Sequence, residues 1–182
     1  MKSTSTHFSP FMRTLHWTMA ALILAMLFIG VGMVSTVSRL HSTLIAIHRP
    51  LGVALLVLVI IRLAVRLAHG SPALPRSIPP QQRVAAKLAQ VALYAMMIAM
   101  PVVGWSMLSA GGYPITLFGG MHLPPIVPTD VALFARLRAL HTWLAMALFV
   151  TVLFHLAAAL YHGFIREDGV LSSMTGWMSS RR

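Results

Sequence analysis

Four stretches of the chain are almost continuously apolar, at residues 11–34, 43–67, 84–108 and 137–164, and polar or proline-rich segments separate them. Each is long enough to cross about 30 Å of hydrocarbon, which takes roughly 20 helical residues. With connections this short, the pattern predicts an all-α integral membrane four-helix bundle, one domain over residues 1–182, with neighbouring helices antiparallel. The first run follows Lys2 and Arg13 and so resembles a signal peptide. However, a signal core is about 15 residues long at most. The run 15–34 is longer, and no A-x-A cleavage site follows it. It reads as a retained helix.

The connections differ in character. The second, Gly70-Ser71-Pro72-Ala73-Leu74-Pro75 to Pro79-Pro80, is broken by prolines that lack an N–H donor, and it reads as an extended linker with basic flanks. The third, from Ser109-Ala110-Gly111-Gly112-Tyr113-Pro114 to Pro124-Pro125, is long and apolar, and is expected to lie over the end of the bundle as a cap or a re-entrant packing element. Pro101, inside the third apolar run, is expected to kink that helix or free a carbonyl.

Composition fits the same picture. Hydrophobic residues make up 58% of the chain and charged residues 9%. Soluble domains carry about 25% charged residues, so this chain belongs in a bilayer. There is no cysteine, which excludes disulfides, thiolate-ligated clusters and covalent haem attachment. The formal net charge of +11 crowds at segment ends, so membrane lipid, and no nucleic acid, is the expected partner of the basic residues. Of the 14 Lys and Arg, one side holds Lys2, Arg13, Arg62, Arg66, Arg76, Arg83, Lys87, Arg166, Arg181 and Arg182, and the other Arg39, Arg49, Arg136 and Arg138. The excess places both termini in the cytoplasm.

Histidine carries the candidate chemistry. Of nine, His16, His48, His141 and His155 fall inside the apolar runs. At about 1.5 Å and about 100° per residue, His141 and His155 lie roughly 21 Å apart and within about 40° of one helix face. With the topology above, depth pairs His48 with His141 at the outer side and His16 with His155 at the inner side. Two facing imidazoles are the axial set of a b-type haem. One turn after each histidine stands a small residue, Ala20, Gly52, Ala145 or Ala159, where a flat porphyrin packing on the helix needs space. Alternative readings are core histidines satisfied by neighbours, or a haem-free structural or transport bundle. Zinc or copper would be two ligands short at each depth. A proton relay usually needs intramembrane carboxylates, and the only acids, Asp130, Glu167 and Asp168, fall outside the runs. His7, His41, His69 and His122 read as solvated. Arg62 and Arg66 read as snorkelling to lipid phosphates or contacting a cofactor propionate or a quinone, and His162 as facing a propionate, a quinone or water.

The segments Leu15-His16-Trp17, Ile47-His48 with Gly52, Ile61-Arg62-Leu63-Ala64-Val65-Arg66-Leu67, Leu93-Tyr94, Met100-Pro101-Val102-Val103-Gly104-Trp105, Leu140-His141 and His155-Leu156-Ala157-Ala158-Ala159-Leu160-Tyr161-His162 together resemble the bacterial cytochrome b561 family, di-haem membrane proteins that include superoxide oxidases. The resemblance covers nearly the whole chain. It implies two haem b groups on the same four histidines, in a multi-pass protein of the bacterial inner membrane. It also implies electron flow from an outer-face donor, such as superoxide, to ubiquinone. Arg49 and Arg138 would then attract a small anion at the outer face. The alternative function is a haem-bearing membrane anchor with a protein redox partner, a larger dehydrogenase or hydrogenase. The sequence departs from the family at Gln90, where a histidine is frequent.

Overall fold

The computed structural model describes residues 8–70, 72, 75, 78–117 and 120–176. Lys2, His7, Ser71, Ala73, Leu74, Arg76, Arg181 and Arg182 lie outside the described residues. Four long helices, α1 (Pro10–Ser35), α2 (Arg39–His69), α3 (Pro80–Ala110) and α4 (Val131–Leu160), are each long and apolar enough to cross a membrane. The turn after α4 is π-helical, Tyr161–Ile165, and a single turn, α5 (Ser172–Thr175), follows.

The helices outrun the apolar stretches at most ends. Hydropathy marks the part suited to hydrocarbon, whereas a helix runs on until its end groups find partners. Helix α1 starts at Pro10 because Ser9 Oγ accepts from the Met12 amide at 3.3 Å. Proline also fits the first helical position, and a serine before it is a favoured cap. The start of α2 is Arg39, four residues before the expected 43, with Ser38 Oγ accepting from the Leu40 amide at 3.2 Å. For α3 the start is Pro80 rather than 84, again on a first-turn proline. The last helix, α4, starts at Val131 rather than 137, because Asp130 Oδ1 caps it through the Leu133 amide at 2.7 Å. Pro50 and Pro101 sit inside α2 and α3 without ending either helix.

The backbones of α1 and α2 approach closely along their length, as do those of α3 and α4, and α2 meets α3 less extensively. Helix α4 does not approach α1 or α2 in this way, so space is left where it faces them. Buried apolar side chains are correspondingly sparse, among them Met12, Leu15, Met19, Val59 and Leu148. Large apolar residues such as Phe28, Val34, Trp143 and Phe154 point outward, as a surface facing lipid rather than water requires.

The third connection folds over one end of the bundle. Strands β1 (Ile115–Thr116) and β2 (His122–Leu123) pair antiparallel, the only sheet among the described residues, and Ile115 is buried. Three polar contacts fasten this hairpin region to the helices. Arg49 Nη1 donates to the Pro114 carbonyl at 3.3 Å, Trp105 Nε1 to the Pro124 carbonyl at 2.9 Å, and the Ile126 amide to Ser109 Oγ at 3.2 Å. At the opposite end the start and finish of the described chain meet. The Phe8 amide donates to the Ser173 carbonyl at 3.2 Å, and Trp17 Nε1 to the Met174 carbonyl at 3.2 Å. The second connection also packs: Ile78 is buried, and Arg83 donates to the Ile78 and Pro75 carbonyls at 2.9 and 3.2 Å.

Candidate functional site

Two histidine pairs span the gap between α4 and the α1–α2 layer. His16 of α1 faces His155 of α4 with ring centroids 6.2 Å apart, near the end where the start and finish of the described chain meet. His48 of α2 faces His141 of α4, also at 6.2 Å, toward the hairpin end. These are the pairs that depth selected. Two metal–imidazole bonds of about 2 Å each, added to the distance from each nitrogen to its ring centre, amount to roughly 6 Å. Both separations therefore suit one metal ion held between two rings.

His48 Nδ1 and His141 Nδ1 are both buried, His48 Nδ1 with no hydrogen-bond partner among the described residues and His141 beside the Met100 backbone of α3. Burial without a partner is a costly state for a polar atom. Helix α3 contributes no histidine but admits the His141 ring through Gly104. A Cβ at Gly104 would stand 3.3 Å from His141 Cε1 and 3.6 Å from Nδ1. Sequence reasoning missed this role, although Gly104 is one turn from Pro101 in a motif it singled out. Ala20, Gly52, Ala145 and Ala159 are all half-buried, each one turn after its histidine. A Cβ at Gly52 would meet only the end of the Met26 side chain, at 3.8 Å.

The other pair is set among polar groups. Arg62 is 9% exposed, and its Nη1 lies 2.7 Å from His16 Nδ1, while its Nε donates to the Tyr94 hydroxyl at 3.2 Å. A guanidinium only donates, so His16 Nδ1 accepts and Nε2 is the nitrogen left for another bond. One turn along, Arg66 Nη2 donates to Gln90 Oε1 at 2.7 Å. The Arg66 guanidinium lies over the Tyr94 ring, 5.6 Å from the centroid. A cation in that position is attracted by the ring face. Arg62 and Arg66 on α2 thus face Tyr94 and Gln90 on α3, each pair spaced by one helical turn. Both arginines thus have protein partners on neighbouring helices, Arg62 through Nε and Nη1 and Arg66 through Nη2. Tyr94 was missed as a site residue.

His162 does not simply face water. Its Nδ1 lies 2.6 Å from Asp168 Oδ2, and Arg166 Nε lies 3.4 Å from the same oxygen. The chain reverses after the π-helical turn, with Glu167 at a positive φ of 48°, which brings a carboxylate back against the last turn of the helix. Three other histidines also have partners. His41 Nδ1 lies 2.9 Å from the Met33 carbonyl, His69 Nδ1 3.1 Å from the Val65 carbonyl, and His122 Nδ1 3.2 Å from Thr116 Oγ1. Arg49 and Arg138 line one pocket of about 350 Å³ with His41 and Tyr113, on the hairpin side of the His48–His141 pair.

The sequence model of the prokaryotic cytochrome b561 family matches residues 7–177. The chain belongs to that family. It is 31% identical over 167 residues to cytochrome b561 homolog 2 of Escherichia coli strain K12, covering 91% of this chain and 89% of that protein. Cytochrome b561 homolog 1 of the same strain is 28% identical over 128 residues, covering 70% of this chain and 72% of the relative. The probable superoxide oxidase CybB of Yersinia pestis is likewise 28% identical over 128 residues, with the same coverage of 70% and 72%. As a cytochrome b561, the chain is a membrane electron-transfer protein, and membership implies haem b. The paired rings at 6.2 Å and the glycine that admits the His141 ring fit that group.

Proposed function

We propose that this cytochrome b561 holds two haem b groups at two depths, on His48 and His141 and on His16 and His155, and carries electrons across the bacterial inner membrane to ubiquinone. The observation that carries the reading is the presence of two facing histidine pairs at the same 6.2 Å separation, with one helix, α4, supplying a ring to each. When bound, the two haems supply one-electron steps at two positions across the bilayer. The protein's share is to fix the rings, exclude water and set the charge around each pair. Its termini lie in the cytoplasm, so the hairpin covers the outer face. There Arg49 and Arg138 draw a small anionic donor toward the outer pair, and superoxide is the donor that fits the resemblance to the Yersinia protein. Ala20, Gly52, Ala145 and Ala159 leave room for the porphyrin faces. Arg62 and Arg66 charge the inner site, and His162 serves the quinone.

The test is a reduced-minus-oxidised spectrum with pyridine haemochrome quantification on the purified protein. Two b haems per chain are expected, falling to one in His141→Ala with the other spectrum intact. One haem in the unaltered protein, or loss of both from a folded His141→Ala protein, would overturn the assignment.

A further inference from the structure

Asp168 is an acid that follows the last apolar run in sequence and that the fold brings back against the final turn of that helix. Its side chain is only 6% exposed, and His162, to which it is bonded, is 16% exposed. Three features hold it in place. Oδ2 takes the His162 Nδ1 contact at 2.6 Å, Arg166 Nε stands 3.4 Å from that oxygen, and Oδ1 accepts from the Val170 amide at 3.3 Å. The segment beyond is fastened to α1 through the Trp17 contact and to the residues before that helix through Phe8, and Arg13 lies against Gly176. The ring itself sits in the π-helical turn Tyr161–Ile165, a local geometry that often marks functional positions. Counted along the chain, it follows His155 by two helical turns. That is a rise of about 10 Å.

We propose that Asp168 is the positioning residue of a proton-delivery pair, His162–Asp168, for the quinone reduced at the inner site; this rests on the quinone-linked reading above. Reduction of a quinone to a quinol takes two electrons, which arrive singly through the inner pair, and two protons. Each proton leaves His162 Nε2, whose N–H bond breaks as an O–H bond forms on a quinone oxygen, and water on the cytoplasmic side reloads the ring. Asp168 accepts the Nδ1–H hydrogen bond, which fixes the tautomer and turns Nε2 away toward the acceptor. The carboxylate also balances the charge of the ring while both nitrogens carry protons. Arg166 and Arg13 are the cations that the neighbouring segments place at this end.

The full-length protein with both haems chemically reduced is mixed rapidly with a short-chain ubiquinone, and haem reoxidation is followed. Asp168→Asn keeps the size of the side chain and the acceptor for Val170 but removes the charge. Its maximal rate is expected to fall about 10-fold to 100-fold, with the half-saturating quinone concentration and the haem content unchanged, and Asp168→Glu is expected to restore most of the rate. Nitrogen NMR of the His162 ring is expected to show a protonated Nδ1 in the unaltered protein. An unprotonated Nδ1, an unchanged maximal rate in Asp168→Asn, a loss confined to half-saturation, or failure of Asp168→Glu to rescue would overturn the proposal. If quinone fails to reoxidise the haems of the unaltered protein, the quinone-linked reading fails instead, and the NMR result still reports on the pair.

Discussion

Gly104 has no side chain, and the ring of His141 sits where one would begin. A Cβ there would press on His141 Cε1 at 3.3 Å, and the larger side chain of Gly104→Val would displace the ring. Haem content is therefore expected to fall toward one per chain in Gly104→Val. Gly30→Val, where the added Cβ meets nothing within 4 Å, should retain both. Equal haem content in the two variants would remove the cradle role. At the other pair the controlling residue is Arg62, a buried cation that reaches two other helices by binding His16 and Tyr94. The sequence offered Arg62 and Arg66 as lipid-phosphate, propionate or quinone contacts, without the protein partners that hold them. Their turn inward depends on Tyr94 and Gln90 being on the facing helix, which no spacing within α2 reveals. Gln90, which departs from the family, has a definite task here as the acceptor for Arg66.

Among the elements, the caps explain why helices extend beyond the apolar runs. Asp130 starts α4 ahead of its apolar core, and removing the Asp130 side chain costs about 1 kcal/mol. Asp130→Ala is thus expected to lower the melting temperature by about 2–4 °C, with the haem spectrum unchanged, since His141 lies nearly three turns away. A calorimetric or dichroism melt checks this, and an altered spectrum would show that the cap also sets the ring position. The hairpin illustrates the converse. Its Gly- and Pro-rich sequence marked it as a cover without specifying how it attaches. The attachment depends on Trp105 and Ser109 from α3 and Arg49 from α2, residues distant in sequence from the strands they hold.

Over the whole molecule, charge and depth run along the same axis. The end covered by the hairpin presents Arg49 and Arg138 beside one pocket, close in sequence to the two histidines of one pair. Superoxide is expected to reduce the haems rapidly at low ionic strength, and salt should slow it because screening shortens the reach of these charges. Arg138→Gln should slow it in the same way while leaving both haems bound. Stopped-flow absorbance at the haem bands is the measurement, and rates indifferent to salt and to Arg138 would dismiss electrostatic guidance. The sequence by itself determined the four helices and the depth of each histidine along its own helix, and from depth alone the pairing of rings followed. These are one-dimensional properties, set by hydropathy and by the fixed rise of a helix. Tertiary structure alone decided what surrounds each ring, namely the glycine on α3 behind His141, the arginine on α2 beside His16, and the carboxylate that a reversing chain returns to His162. The rotation of each helix about its axis, and the contacts that fix it, come from packing against other helices and so are not encoded in any single run of residues.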